Sequence, residues 1–142
     1  MKRIIFAIAI LALASGNAFS ADKMTLKQKI EMAIDGYERA IQSENPGLNQ
    51  SGVFQIAHLY SKYPDADLGK AKSILKKAVR NNDNEWVRLH ARMTLEYIAN
   101  SELQSVKVTN PEDPMVFYSS LYTRMGENFY GITGQETSNL AE

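Results

Sequence analysis

The chain has 142 residues, of which 44% are hydrophobic and 23% are charged, a composition that fits one small globular domain. Sixteen Lys and Arg balance sixteen Asp and Glu, so the sequence lacks the basic excess of a non-specific polyanion binder. The absence of Cys excludes a disulfide scaffold, a thiol nucleophile and thiolate metal sites.

Residues 1–20 have the pattern of a bacterial-type signal peptide. Two basic residues precede an apolar run of 11 residues, Ile4–Ala14, which is too short to cross about 30 Å of hydrocarbon as a helix. Small residues follow, so we predict cleavage near Ser20 or Ala21 and a periplasmic or secreted protein. An N-terminal membrane anchor is the alternative. Without the leader, the predicted mature chain has a net charge of −2.

Apolar residues at spacings of three and four predict four helices between residues 25 and 99. Side chains that can accept hydrogen bonds from free backbone N–H groups mark their starts. The predicted N-caps are Thr25 (in a capping box with Gln28), Asn45 (before Pro46) and either Asp65 or Asp67. The predicted spans are 25–43, 46–62, 67–81 and 85–99. Leu75 and Leu95 occupy equivalent central stripe positions, so we predict that both are buried.

The helical pattern weakens beyond Asn100, where Val106–Val108 is predicted to be a short extended segment. Asp113 before Pro114, followed by apolar residues four apart, predicts a fifth helix over about 114–128. The polar residues 131–142 have no periodicity and are predicted to be disordered. No stretch alternates β-branched and polar residues, so the predicted fold is all-α.

The first and second helix pairs match each other at an offset of 38–39 residues. Apolar or small residues coincide at eight positions: Ala33, Tyr37, Ala40 and Ile41 with Ala71, Leu75, Ala78 and Val79, and Leu48, Gly52, Ile56 and Leu59 with Val87, Ala91, Leu95 and Ile98. Such a period is typical of an α-solenoid. The alternative is a chance similarity between two amphipathic helix pairs. We therefore predict a short α-solenoid of two hairpins, 21–130, with 114–128 as a capping helix.

Two groups of residues resemble known repeat families. The segment Asn84–Arg88, followed by Ala91 and Leu95, resembles the second helix of HEAT repeats. Other positions resemble the second helix of tetratricopeptide or Sel1-like repeats: Ala33, Tyr37, Ala40, Pro46, Lys70-Ala71 and Lys77-Ala78. The resemblance covers about residues 27–99. It implies a protein-binding scaffold and no chemistry.

Two features have more than one interpretation. The five aromatic residues of the C-terminal segment either cover the open end of the solenoid or bind a partner; they are Phe117, Tyr118, Tyr122, Phe129 and Tyr130. Residues 70–92 have a net charge of +5 and residues 93–142 a net charge of −5. The basic stretch either packs against the acidic C-terminal segment, binds an anionic partner (lipid headgroups, wall polymer or an acidic protein), or is a solvated face.

The residue types of catalytic or metal sites do not occur together in this sequence. His58 and His90 have no second ligand at metal-binding spacing on their helices, and we expect both to be half-exposed. No nucleophile motif or phosphate-binding loop is present. We therefore expect a protein that is not an enzyme and has no metal and no cofactor.

The sequence predicts an exported interaction module with a protein partner. The expected contact face is the groove between the second helices of the two hairpins. The candidate contact residues, chosen because Trp and Arg are enriched at binding hot spots and because of the basic stretch, are Trp86, Arg88, Arg92, Lys76 and Arg80. The alternative is a periplasmic carrier of a small anionic ligand, with Lys76, Arg80 and His90 around a pocket. Export and the missing interleaving of aromatic residues with the cations of the basic stretch argue against nucleic acid as a partner.

Overall fold

In a computed structural model, the described part of the chain is residues 24–130, with only the backbone for Phe129 and Tyr130. It contains α1 (Leu26–Ile41), α2 (Pro46–Lys62), α3 (Gly69–Asn81), α4 (Glu85–Ala99), a 3-10 helix (Ser101–Ser105) and α5 (Pro114–Tyr130). Residues 24–130 contain no β-strand. The predicted all-α fold of two hairpins and a C-terminal helix is confirmed. The predicted signal peptide and the tail 131–142 lie outside the described residues.

Side-chain caps set the helix starts close to the predicted positions. Thr25 and Gln28 form both hydrogen bonds of the capping box. Asn45 Oδ1 accepts from the N–H of Gly47 at 2.9 Å. The equivalent residue of the second hairpin, Asn84, accepts from the N–H of Trp86 at 2.9 Å. These caps are local, which is why the sequence predicts them.

Two helix boundaries differ from the prediction. α1 ends at Ile41 instead of residue 43. α3 begins at Gly69 instead of residue 67. The N-cap of α3 is Leu68, without a side-chain hydrogen bond, so the prediction that Asp65 or Asp67 caps this helix is wrong. The carboxylate of Asp67 accepts a hydrogen bond from the N–H of Gly69 at 3.0 Å and orders the turn that leads into the helix.

Asn49 joins the two helices of the first hairpin. This residue is buried, and its side-chain amide donates to the carbonyl oxygens of Ala40 (3.1 Å), Ile41 (3.1 Å) and Ser43 (2.6 Å). These carbonyls belong to the end of α1 and the residues just after it, where the helix leaves acceptors without intrahelical partners. Asn49 therefore stabilises the turn between α1 and α2.

The hairpins α1–α2 and α3–α4 pack side by side, chiefly through α2 and α4. At Gly52 of α2, a Cβ atom would lie 2.9 Å from the backbone oxygen of Tyr37 and 2.8 Å from the Ile41 side chain. The absence of a side chain thus allows α1 and α2 to approach closely. The two hairpins are also joined by Lys70 of α3, which forms ion pairs with Asp35 (2.5 Å) and Glu38 (3.6 Å) of α1.

The apolar stripes form the core, with differences between the hairpins. Leu75 is fully buried, as predicted, whereas Leu95 is only partly buried. The prediction that both are buried is therefore wrong for Leu95, which lies at the edge of the buried side of α4, between buried Ala91 and Ile98 and exposed Arg92 and Ala99. Leu48 is 48% exposed although its repeat counterpart Val87 is fully buried. The two hairpins therefore differ in burial at matched positions.

α5 packs on the face that α2 and α4 share. Phe117 lies between Phe54 of α2 (ring centroids 6.0 Å apart) and Tyr97 of α4 (5.2 Å). Phe117 and Leu121 are 2% and 0% exposed. The C-terminal helix thus covers the core, as one of the two interpretations predicts. It covers the face formed by the second helices and leaves the outer side of α3 and α4 uncovered.

The segment between α4 and α5 packs on the core through apolar side chains and forms hydrogen bonds with two tyrosines. Leu103 of the 3-10 helix is fully buried, and Gln104 Nε2 donates to the hydroxyl oxygen of Tyr60 on α2. The Tyr97 hydroxyl donates to the carbonyl oxygen of Val106 at 3.0 Å. Residues 106–108 are not a strand, although Val106 and Val108 pack against the core. Within residues 24–130, no helix has both the length and the apolar character needed to cross a membrane.

Candidate interaction surface

An aromatic stack joins α4 to α5. The imidazole of His90 and the ring of Tyr118 are parallel within 2°, with centroids 3.9 Å apart. The Tyr118 hydroxyl lies 2.9 Å from the hydroxyl oxygen of Thr94, also on α4. All three side chains are buried. Contacts of this kind add about 0.5–1.5 kcal/mol to the effect of burial alone, so the stack holds α5 in one position on α4.

His90 is buried, at 5% exposure, and the expectation that it is half-exposed is wrong. The reason is α5, which the helical pattern of α4 alone cannot reveal. Burial lowers the pKa of His90 below its ordinary value, because an imidazolium loses its hydration in this site. Burial also raises the pKa of the Tyr118 hydroxyl. Both groups are therefore neutral near pH 7 and have a structural role.

We expect the free energy of unfolding to fall as the pH drops below about 6.5, the His pKa in unfolded chains. Below this pH, His90 takes up a proton in the unfolded chain but stays neutral in the folded chain. The free energy of unfolding therefore falls by up to about 1.4 kcal/mol per pH unit. At higher pH, His90 is neutral in both states, and its contribution to the free energy of unfolding does not change with pH. Urea unfolding at about pH 7.5 and 5.5 measures the difference. His90→Phe, which keeps a stacked ring but cannot bind a proton, should reduce this pH dependence. Equal pH dependence in wild type and His90→Phe would contradict this assignment.

α5 has a buried face and an exposed apolar face. Met115 and Tyr122 are 56% and 71% exposed. They precede and follow Tyr118 by three and four residues, so they lie on the same side of the helix. On α4, Trp86 is 57% exposed, and its ring lies 5.9 Å from that of His90. We call Trp86, Met115 and Tyr122 the aromatic surface. Met115 and Tyr122 lie within four positions of Tyr118 on α5, and the Trp86 ring is close to that of His90, the stacking partner of Tyr118 on α4.

The predicted contact residues do not form a single surface. Trp86 and Arg88 are two positions apart, which is about 200° around a helix, so they lie on opposite sides of α4. The Arg88 guanidinium donates to the carbonyl oxygens of Asn82 (2.7 Å) and Asp83 (3.1 Å). It thereby stabilises the turn after α3. The expected groove between α2 and α4 is filled at its centre by Phe117 of α5.

The other predicted contact residues lie together on the outer side of the second hairpin. Lys76 and Arg80 are four apart on α3, as are Arg88 and Arg92 on α4, and Lys72 precedes Lys76 by four. All except the partly buried Arg88 are exposed. We call this set the basic end: Lys72, Lys76, Arg80, Arg88 and Arg92. Lys70 is not part of it, because it is paired with α1; the Asp35 hydrogen bond raises the pKa of Lys70.

A groove of about 850 Å³ lies between α1 and the loop before α3. Its floor contains Ile30 and Ile34, and charged residues of both signs line its walls. A smaller groove of about 440 Å³ lies at the two hairpin turns, near Asn49 and Asn82. Neither groove is lined by Lys76, Arg80 or His90, the residues expected around the pocket of a carrier.

Trp86 and the cations of the basic end are candidate contact residues from the sequence, whereas Met115 is not among those candidates, although it is exposed. Helical spacing places residues 115, 118 and 122 on one side of the predicted helix. It does not show which of them are buried and which are exposed. No group of three or more potential metal ligands occurs among residues 24–130. The chain matches no protein-family model, no curated protein and no solved structure at significant similarity.

Proposed function

We propose that this protein is an exported, non-enzymatic helical-repeat module that binds a protein partner through the aromatic surface. The supporting observation is that Trp86, Met115 and Tyr122 are each more than half exposed, on the two helices that the buried His90–Tyr118 stack joins. Large apolar side chains held on ordered helices lose little conformational entropy on binding, and Trp and Tyr are enriched at hot spots. Export rests on the predicted signal peptide.

The aromatic surface also reconciles the two interpretations of the C-terminal aromatic residues. Phe117 and Tyr118 are 2% exposed and cover the core, whereas Tyr122 is 71% exposed on the same helix. One helix can serve both purposes because residues at different positions around it face different surroundings. The protein partner would therefore contact α5 without displacing the side chains that α5 contributes to the core.

The test is capture of proteins from a periplasmic extract with the secreted form of the chain as bait. The double variant Trp86→Ala, Tyr122→Ala should lose the captured partner, since hot-spot truncation costs at least about 2 kcal/mol, or roughly 30-fold in affinity. The matched control is Met32→Ala, Leu48→Ala, which removes two apolar side chains that are 50% and 48% exposed on the first hairpin. Equal capture by both variants would contradict the proposal.

A further inference from the structure

We propose that the basic end docks on a membrane surface that contains anionic phospholipids. This site is separate from the aromatic surface, and it goes beyond the proposed protein-binding function. The proposal rests on a row of cations on α3 and two arginines on α4. No element of residues 24–130 covers this part of the molecule.

The row on α3 consists of like charges at helical spacing. Lys72, Lys76 and Arg80 follow one another at intervals of four, so each lies next to the following one, an arrangement that destabilises a helix. All three are exposed, and none forms an ion pair with a carboxylate of residues 24–130. Lys70, on the same helix, instead has two acidic partners on α1. The unpaired row therefore points to an anionic ligand outside the chain.

α4 adds two cations to the same side of the molecule. α3 and α4 are joined by a short turn and pack as an antiparallel pair. Arg88 reaches back to the turn after α3, and Arg92 lies one helical turn further along. Two carboxylates, Glu85 (paired with Arg88 at 3.5 Å) and Glu96, reduce the net charge of this side to +3.

The shape of the basic end suits an extended anionic plane. None of its five residues lines the groove beside α1 or the groove at the hairpin turns, and all of them except the partly buried Arg88 are exposed. Leu89, 45% exposed, lies three residues before Arg92 and adds an apolar side chain at the edge of the cations. Cations bordered by exposed apolar residues are the pattern of proteins that lie on membrane interfaces.

The size of the effect follows from the number of cations. Each Lys or Arg near an anionic bilayer strengthens binding by about fivefold. Replacing the three cations of α3 should therefore weaken binding by about 100-fold. The effect should diminish with added salt, because exposed charges are screened over about 10 Å at moderate ionic strength. An acidic protein surface is the competing class of partner, and the experiment distinguishes it.

The experiment measures co-sedimentation of the secreted form with vesicles of phosphatidylcholine and phosphatidylglycerol in equal parts, and with pure phosphatidylcholine vesicles. The variant is Lys72→Gln, Lys76→Gln, Arg80→Gln. The control is Lys27→Gln, Lys29→Gln, Arg39→Gln, which removes the same charge from exposed positions of α1. We expect binding to anionic vesicles only, a loss of about 100-fold in the variant, and binding within about threefold of wild type in the control. Urea unfolding checks that both variants remain folded.

Several results would overturn the proposal. These are equal binding to both kinds of vesicle, equal losses in the two triple variants, or release from vesicles by millimolar inorganic phosphate. Binding to soluble polyglutamate but not to vesicles would assign the basic end to an acidic protein. Capture of the protein partner reports separately on the aromatic surface, since the α3 variant leaves Trp86 and Tyr122 unchanged. Each proposal can therefore fail without the other.

Discussion

A chain that ends at Asn100 should not retain a stable cooperative fold. The truncation removes four side chains that are at most 2% exposed: Leu103, Phe117, Tyr118 and Leu121. At about 1.5–3 kcal/mol for each buried side chain, the loss is roughly 6–12 kcal/mol. This is comparable to the entire stability of a typical domain, about 5–15 kcal/mol. Urea unfolding, followed by circular dichroism, should show a much lower midpoint or no transition.

The same truncation should also cause self-association, because it exposes Phe54 and Tyr97 on the face that α5 covers. Size-exclusion chromatography measures this. A chain that ends at Tyr130 is the control, and we expect its midpoint to equal that of the longer form, since residues 131–142 have no apolar stripe. If the chain ending at Asn100 stays monomeric with an unchanged urea midpoint, α5 contributes nothing to the core. That result would contradict the packing of α5 on α2 and α4.

Leu75→Ala should lower the free energy of unfolding by about 2–5 kcal/mol, the usual range for a fully buried leucine that leaves a cavity. Leu75 is 0% exposed at the centre of α3. Leu95→Ala is the matched comparison and should cost clearly less, because Leu95 is only partly buried and water can fill part of the space. Urea unfolding of the two variants tests the difference. Equal losses, or a loss below about 0.5 kcal/mol for Leu75→Ala, would contradict the burial of these helices.

The helices themselves could be predicted from the sequence because their signals are local. A capping side chain and the backbone N–H that it accepts from are two or three residues apart, as in Asn45 with Gly47 and Asn84 with Trp86. The spacing of apolar residues likewise reports one buried face of a helix. The predicted starts at residues 46, 85 and 114 therefore coincide with the observed ones. The α3 boundary differs because Asp67 forms its hydrogen bond from the turn.

The second buried face of a helix cannot be predicted in this way. Phe54 on α2 and His90 on α4 lie outside the apolar stripes, yet they are 1% and 5% exposed. Both are covered by α5, which is more than 20 residues from His90 and more than 60 from Phe54 in the chain. Periodicity within one helix contains no information about a neighbour so distant. The half-exposed assignment of His90 failed for this reason.

By itself, the sequence determined the all-α class, the order of the helices and the capping side chains Thr25, Asn45 and Asp113, since each depends on residues within a few positions of one another. Tertiary structure alone decided where α5 packs, and thereby which residues remain on the surface. It placed Trp86 near the His90–Tyr118 stack that joins α4 to α5, whereas Arg88, two positions along the same helix, contacts the turn after α3. A surface is made by side chains from different helices, and their contacts are set by packing across long sequence separations.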